Sequence, residues 1–131
     1  MWRVLVVDDN FIDRKIILEI LKGKAECDLA ATGQETIIAY DLSLAEHKPY
    51  DIVLLDISMA QMSGIEVLKL IRENELKTGV SLGDGIPIVM VTGYKEPFLD
   101  AFNGGCDDYI LKPISAKDLL EKIEGKLRIK Q

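Results

Sequence analysis

Val4-Leu5-Val6-Val7-Asp8-Asp9-Asn10 sets four consecutive branched aliphatic residues directly before two carboxylates. An uninterrupted apolar run of this kind suits a strand covered on both faces. The pattern recurs along the chain: Ile52-Val53-Leu54-Leu55 precedes Asp56, Ile88-Val89-Met90-Val91 precedes Thr92, and Tyr109-Ile110-Leu111 precedes Lys112. If these runs are parallel strands, the Asp8–Asp9 pair, Asp56, Thr92 and Lys112 emerge on one edge of one sheet.

The segments between the runs read mostly as helices. Residues 11–22 carry Phe11, Ile12, Ile16, Leu18, Ile20 and Leu21 and are closed by Gly23. Residues 26–30 alternate polar and apolar, as an edge strand does. Gly33 opens a helical stretch to about Ala45, which Pro49 breaks, and residues 51–55 form the next buried strand. Gly64 precedes a helix with Ile65, Val67, Leu68 and Ile71 on one side, and residues 74–85 have loop chemistry in Gly79, Ser81, Gly83, Asp84 and Gly85. Residues 86–91 make a fourth strand, a short helix is expected between about Pro97 and Asn103, and residues 108–111 make a fifth strand. Leu119, Leu120, Ile123 and Leu127 recur at helical spacing behind Ser115, a cap with Asp118 at the box position. The order is (βα)5, an α/β doubly wound fold whose crossovers imply parallel strands and right-handed connections.

At 131 residues one domain over 1–131 is expected, with no output domain, since no linker or repeat interrupts the chain and four residues follow Leu127. The composition is 48% hydrophobic and 6% aromatic, so Ile, Leu and Val should build the core. A net charge of −6 weighs against nucleic acid and anionic membranes as partners. No apolar run approaches the ~20 residues of a bilayer span, and the N-terminus lacks a secretory signal. A cytoplasmic protein is expected, with Cys27 and Cys106 as reduced, partly buried thiols. His47, the one histidine, is expected to be exposed, and without a CxxC pair no zinc site is expected.

In an open doubly wound sheet, ligands bind beyond the carboxyl ends of the strands where strand order reverses. For an order 2-1-3-4-5 that crevice lies between the first and third strands, where Asp8–Asp9 and Asp56 stand. Carboxylates gathered there repel one another, and without compensation at least one pKa should rise. A hard cation removes the conflict, and Mg2+ takes oxygen ligands while keeping several waters. Asp9 and Asp56 are expected as direct ligands, Asp8 directly or through water, and Ser58 through its backbone carbonyl. Asp56 is then the candidate nucleophile, because a carboxylate can form an acyl phosphate. Lys112 offers a point positive charge to a phosphoryl oxygen, and the Thr92 hydroxyl can donate to another. Lys112 precedes Pro113. A cis bond there would aim the lysine back across the crevice, although X–Pro bonds are cis in only ~5% of cases, so the residues alone favour trans.

Val4–Asn10, Asp51–Asp56 with Met59, Met62 and Gly64, Val91-Thr92, and Gly105–Pro113 together closely resemble the receiver domain of response regulators in two-component signal transduction. The likeness spans essentially the whole chain and fills every position of the family's set: acidic pair, acceptor, hydroxyl and lysine. It implies a flavodoxin-like sheet in the order 2-1-3-4-5, with phosphoryl transfer to Asp56 from a histidine kinase or histidine phosphotransfer protein. It implies Mg2+ held by Asp8 and Asp9, and a cis Lys112–Pro113 bond. It also implies a switch: Thr92 moves toward the phosphoryl group, Tyr109 swings into the vacated space, and the surface of the fourth helix, fifth strand and fifth helix changes for a downstream effector protein. Such a switch is a population shift between two packings. The chain is thus expected to catalyse only its own phosphorylation and dephosphorylation. A homodimer is among the assemblies the resemblance allows. Ala60 stands where the family usually has proline, Ser63 where it often has Asp, and Gly93 where alanine is usual. The stretch from Thr92 to Tyr109 is shorter than typical and contains Pro97, so the fourth helix should be short or displaced.

Other functions use part of the same set. A haloacid-dehalogenase-like aspartyl-phosphate phosphatase wants its nucleophile in a DxD arrangement after the first strand, where this chain has Asp8-Asp9-Asn10-Phe11. A receiver fold acting as a phosphorylation-independent binding module has no need of the intact Asp, Thr and Lys set. A flavin-binding protein needs a Ser/Thr/Gly-rich phosphate cradle that the first strand-to-helix loop lacks. Ser58 and Tyr94, each two residues beyond a key side chain, are expected to flank an acyl phosphate and set its hydrolysis rate, Tyr94 through bulk that hinders water.

Overall fold

The apolar runs form strands that ladder in parallel in the computed structural model, which describes residues 1–81, 83–93 and 98–130. The strands are β1 (Trp2–Val7), β2 (Ala25–Ala30), β3 (Ile52–Leu55), β4 (Ile88–Thr92) and β5 (Asp108–Leu111). They lie in the order β2-β1-β3-β4-β5, the order that the family resemblance implies. Between and after them run α1 (Phe11–Leu21), α2 (Gly33–Ala45), α3 (Gly64–Lys77), α4 (Phe98–Asn103) and α5 (Ala116–Lys130).

Alternation along each strand divides the core in two. Leu5, Val7, Val53, Leu55, Ile88 and Met90 face α2 and α3, where they meet Tyr40, Val67, Leu68 and Ile71. Val4, Val6, Ile52, Leu54, Val89 and Val91 face α1 and α5, where they meet Ile17, Leu21, Leu119 and Ile123. Both faces of the central strands are therefore dry, which explains why their sequences are continuously apolar. The edge strand β2 is mostly exposed or half-buried. Met59 and Met62 pack against the α2–α3 side. Cys106 is buried, Cys27 half-buried, and both thiols are free.

Short polar side chains start the helices at the carboxyl edge of the sheet. The backbone N–H of Asp13, Glu35, Glu66 and Asp118 donates to Asn10 (3.0 Å), Thr32 (3.1 Å), Ser63 (3.3 Å) and Ser115 (3.3 Å) respectively. Each contact satisfies an otherwise orphaned donor and fixes the direction of the first turn. Gly64 has a further reason to be glycine. A Cβ there would overlap the backbone carbonyl oxygen of Asp56, while the Gly64 N–H bonds Ile57 O at 2.8 Å.

Several boundaries differ from the sequence expectation. Residues 74–77 are helical rather than loop, because α3 continues to Lys77 and stops only before Gly79, which has φ +89°. Glu75 permits this: its carboxylate takes Arg72 Nη1 at 2.7 Å and the Ile86 N–H at 2.7 Å, so it is buried with both oxygens satisfied. Arg72 also reaches Asp107 at 2.9 Å and the carbonyls of Gly105 and Ile86, each at 2.8 Å. The fourth strand begins at Ile88, not residue 86, since Ile86 gives its N–H to Glu75 and Pro87 has none to give. Residues 128–130 extend α5 instead of forming a tail, and Gln131 lies outside the described residues. Phe11, Ile12 and Ile16 are exposed, and Ile17 and Leu21 are the buried residues of α1. The short fourth helix is found, six residues long, while Tyr94–Pro97 lie outside the described residues. His47 is exposed, in a turn with φ 58°.

Candidate functional site

Register brings the polar residues together. Val7 pairs with Leu55, Leu55 with Met90, and Thr92 with Leu111. One step beyond Val7 and Leu55, Asp8 and Asp56 leave adjacent strands side by side, and the Asp56 N–H still bonds Val7 O at 2.9 Å. Asp8, Asp9 and Asp56 each offer a carboxylate oxygen, and these lie within 4.8 Å of one another. Asp8 is 1% and Asp56 4% exposed, whereas Asp9 is open to solvent. Burying two adjacent carboxylates is unfavourable unless each is bonded and its charge offset.

The offset comes from β5. Lys112 Nζ donates to Asp8 Oδ2 at 2.8 Å, to Asp13 Oδ2 at 2.8 Å and to Asp56 Oδ2 at 3.4 Å. Its backbone N–H is anchored on Thr92 O at 2.9 Å, and the Lys112–Pro113 bond is cis. Backbone donors take three further oxygens: Asn10 N–H to Asp8 Oδ1 at 2.9 Å, Ser58 N–H to Asp56 Oδ1 at 3.1 Å, and Ala60 N–H to Asp9 Oδ2 at a long 3.4 Å. No buried side-chain polar atom among the described residues lacks a partner.

The electrostatics follow from this crowding. Burial first and the Asp8 charge second push the Asp56 carboxyl up to about 6, against the pull of Lys112 and the Ser58 N–H. Burial works against the Lys112 charge, but its hydrogen bonds to Asp13 and Asp8, with Asp56 beyond, outweigh it and hold the ammonium above the ordinary lysine range. A single ammonium thus serves several carboxylates, and negative charge remains in excess.

Thr92 is fully buried at the end of β4, within the strand rather than after it. Tyr109 is half-buried against the α2–α3 side of the core, and its carbonyl accepts from Lys122 Nζ at 2.8 Å. Lys122 also bonds Asp108 Oδ1 at 2.9 Å, tying α5 to β5. Ser58 is exposed beside Asp56. Tyr94, expected as its counterpart beyond Thr92, falls outside the described residues.

Three residues at the site were not singled out from the sequence: Asn10, Asp13 and Arg14. Arg14 Nη1 donates to Asp8 O at 2.7 Å. The available signal was the capping spacing of Asn10 and Asp13, which turns the first helical turn toward the strand end it has just left.

A family profile described as the response regulator receiver domain matches residues 4–124. The chain belongs to that family. The receiver is 36% identical over 131 residues to a hybrid signal transduction histidine kinase I of Dictyostelium discoideum, an alignment covering 95% of this chain and 7% of that protein. It is 34% identical over 129 residues to the DNA-binding response regulator MtrA of Mycobacterium tuberculosis, covering 96% of this chain and 50% of that one. Among solved structures it is similar to a CheY-like receiver domain protein of Methanospirillum hungatei, with TM-score 0.79, 32% identity, and coverage of 99% and 96% of the two chains. The receiver therefore spans about half the length of MtrA and a small part of the kinase. It is a receiver domain of two-component signalling, a signalling family rather than a conventional enzyme family. No helix among its described residues is long and apolar enough to cross a membrane.

Proposed function

We propose that the receiver accepts a phosphoryl group on Asp56 from a phosphohistidine of a histidine kinase or histidine phosphotransfer protein, with Mg2+ as cofactor. The observation that carries this reading is the convergence of a buried Asp56 carboxylate with Asp8, Asp9 and the Lys112 ammonium on one sheet edge. The donor set fits a hard divalent cation: all three side chains offer carboxylate oxygens, close together, with one ammonium shared by Asp8 and Asp56. Asp8, Asp9 and Asp56 would hold the ion, joined by the Ser58 carbonyl. Mg2+ bound there supplies positive charge to the phosphoryl oxygens.

The residues of the chain do the rest. An Asp56 carboxylate oxygen attacks phosphorus, and the P–N bond of the donor breaks. Its electron pair goes to the imidazole, which is left as neutral histidine after proton exchange with solvent. Lys112 and the Thr92 hydroxyl neutralise and orient the transferring oxygens. Hydrolysis removes the phosphoryl group: water attacks phosphorus, the O–P bond to Asp56 breaks, and inorganic phosphate leaves the carboxylate free. Engagement of Thr92 by the phosphoryl group, with Tyr109 following inward, would shift the surface of α4, β5 and α5 toward the form an effector protein binds.

An exposed apolar pair beside the site supports a protein donor over a small one. Phe11 and Ile12, at the start of α1 directly beyond Asp8–Asn10, are 63% and 61% exposed. Large apolar side chains grouped at the rim of a site favour protein contact.

The test is intact-mass measurement after incubation with acetyl phosphate and Mg2+. The wild type should gain one phosphoryl group and Asp56→Asn none. Equal labelling of the two proteins would overturn the assignment.

A further inference from the structure

Lys112 Nζ has three N–H donors and three carboxylate partners. Asp8 and Asp56 come from the sheet edge. Asp13 does not: it stands on the first turn of α1, which Asn10 locks by accepting the Asp13 N–H at 3.0 Å. Asp13 is also outside the group of carboxylates close enough to share an ion, which comprises Asp8, Asp9 and Asp56. Yet its contact with Lys112, at 2.8 Å, is as short as that of Asp8 and shorter than the 3.4 Å to Asp56. In this geometry the acceptor carboxylate receives the weakest share of the ammonium, and the helix carboxylate a full one.

We propose that Asp13 is a positioning residue that competes with the phosphoryl group for Lys112 and so sets how readily the receiver enters its phosphorylated geometry. This rests on the acceptor reading of Asp56. When a phosphoryl group occupies Asp56, its oxygens become the preferred partners of the ammonium, and the Asp13 contact must lengthen or break. The pair is part-exposed, so the cost is modest but falls entirely on the resting state. An effect of this kind shifts a two-state equilibrium without touching the chemistry.

Beryllofluoride, a non-hydrolysable stand-in for the phosphoryl group, is the probe, titrated in saturating Mg2+. Asp13→Asn keeps the size of the side chain while removing its charge. It should bind the probe about fivefold more tightly than wild type, whereas Asp13→Glu, which restores the carboxylate, should return toward the wild-type affinity. In a Lys112→Ala background the substitution at Asp13 should have no effect, because its influence passes through the lysine. A merely structural role would persist in that background. Asp13→Ser provides a second charge-removing variant if the first does not fold. Unchanged or weaker binding in a folded charge-removing variant, or an effect that survives loss of Lys112, overturns the proposal while leaving the acceptor assignment intact. A wild type that takes neither beryllofluoride nor acetyl phosphate overturns the acceptor assignment, and this inference with it.

Discussion

Asp56 carries a conflict that its neighbours only partly resolve. Its carboxyl is raised from 3.8 to about 6, by burial first and by Asp8 second. Between those two values the folded state binds the proton that the unfolded state has released. The contribution to stability is therefore present at low pH and lost as pH rises through about 6. In the metal-free protein, Asp56→Asn should remove this cost. Urea titration at neutral pH should find the variant more stable by about 1–2 kcal/mol, with the decline across that pH window flattened. A variant no more stable than wild type would contradict the account. The same proton competes with Mg2+, so the affinity for the ion should weaken as pH is lowered through the Asp56 titration, as calorimetry would read. Asp8, Asp9, Asp56, Thr92 and Lys112 were legible in the sequence because each stands at the end of an apolar run. Asp13 was not, because its partner is 99 positions away and is reached only once a helix has turned.

At the scale of elements, the loop after β3 is governed by how closely α3 approaches it. A methyl group at Gly64 would meet the Asp56 backbone oxygen, which no side-chain rotation can relieve. Gly64→Ala should cost about 2–4 kcal/mol in chemical denaturation, and a cost within experimental error would show that the backbone yields. For α1 the expectation concerns binding. Phe11→Ala should leave the denaturation midpoint and acetyl phosphate labelling near wild type, yet slow transfer from a phosphorylated histidine phosphotransfer domain about tenfold. Equal slowing with both donors would place the fault in the site and not in docking. Strand interiors were readable because strand burial is a local pattern, and so was the Ser115 cap of α5. The end of α3 and the start of β4 were not. Glu75 looks like a loop residue until Arg72 and the Ile86 N–H are seen to satisfy it from three residues before and eleven after. The exposure of Phe11, Ile12 and Ile16 was equally hidden, since apolar character does not say which residues of a helix the sheet will cover.

For the molecule as a whole, the sheet order follows from the alternation of strands and helices together with the family resemblance, and the site follows from the sheet order. Two dry faces hold β1, β3 and β4 rigid, and their carboxyl ends deliver an acidic cluster that the fold alone leaves under-neutralised. Mg2+ should therefore stabilise the folded state by linkage, by about 2.7 kcal/mol at a hundredfold excess over its dissociation constant. A thermal melt with and without the ion would read this as a rise of several degrees, abolished by chelation, and no shift at millimolar Mg2+ would count against a metal site. The most direct measurement locates the covalent bond itself. The receiver is phosphorylated by acetyl phosphate in Mg2+, the acyl phosphate is reduced with borohydride, and the modified residue is found by peptide mass spectrometry. The account predicts the reduced side chain at Asp56 and nowhere else; modification at Asp8, Asp9 or Asp13, or a fully unmodified Asp56 peptide from a labelled protein, would contradict it.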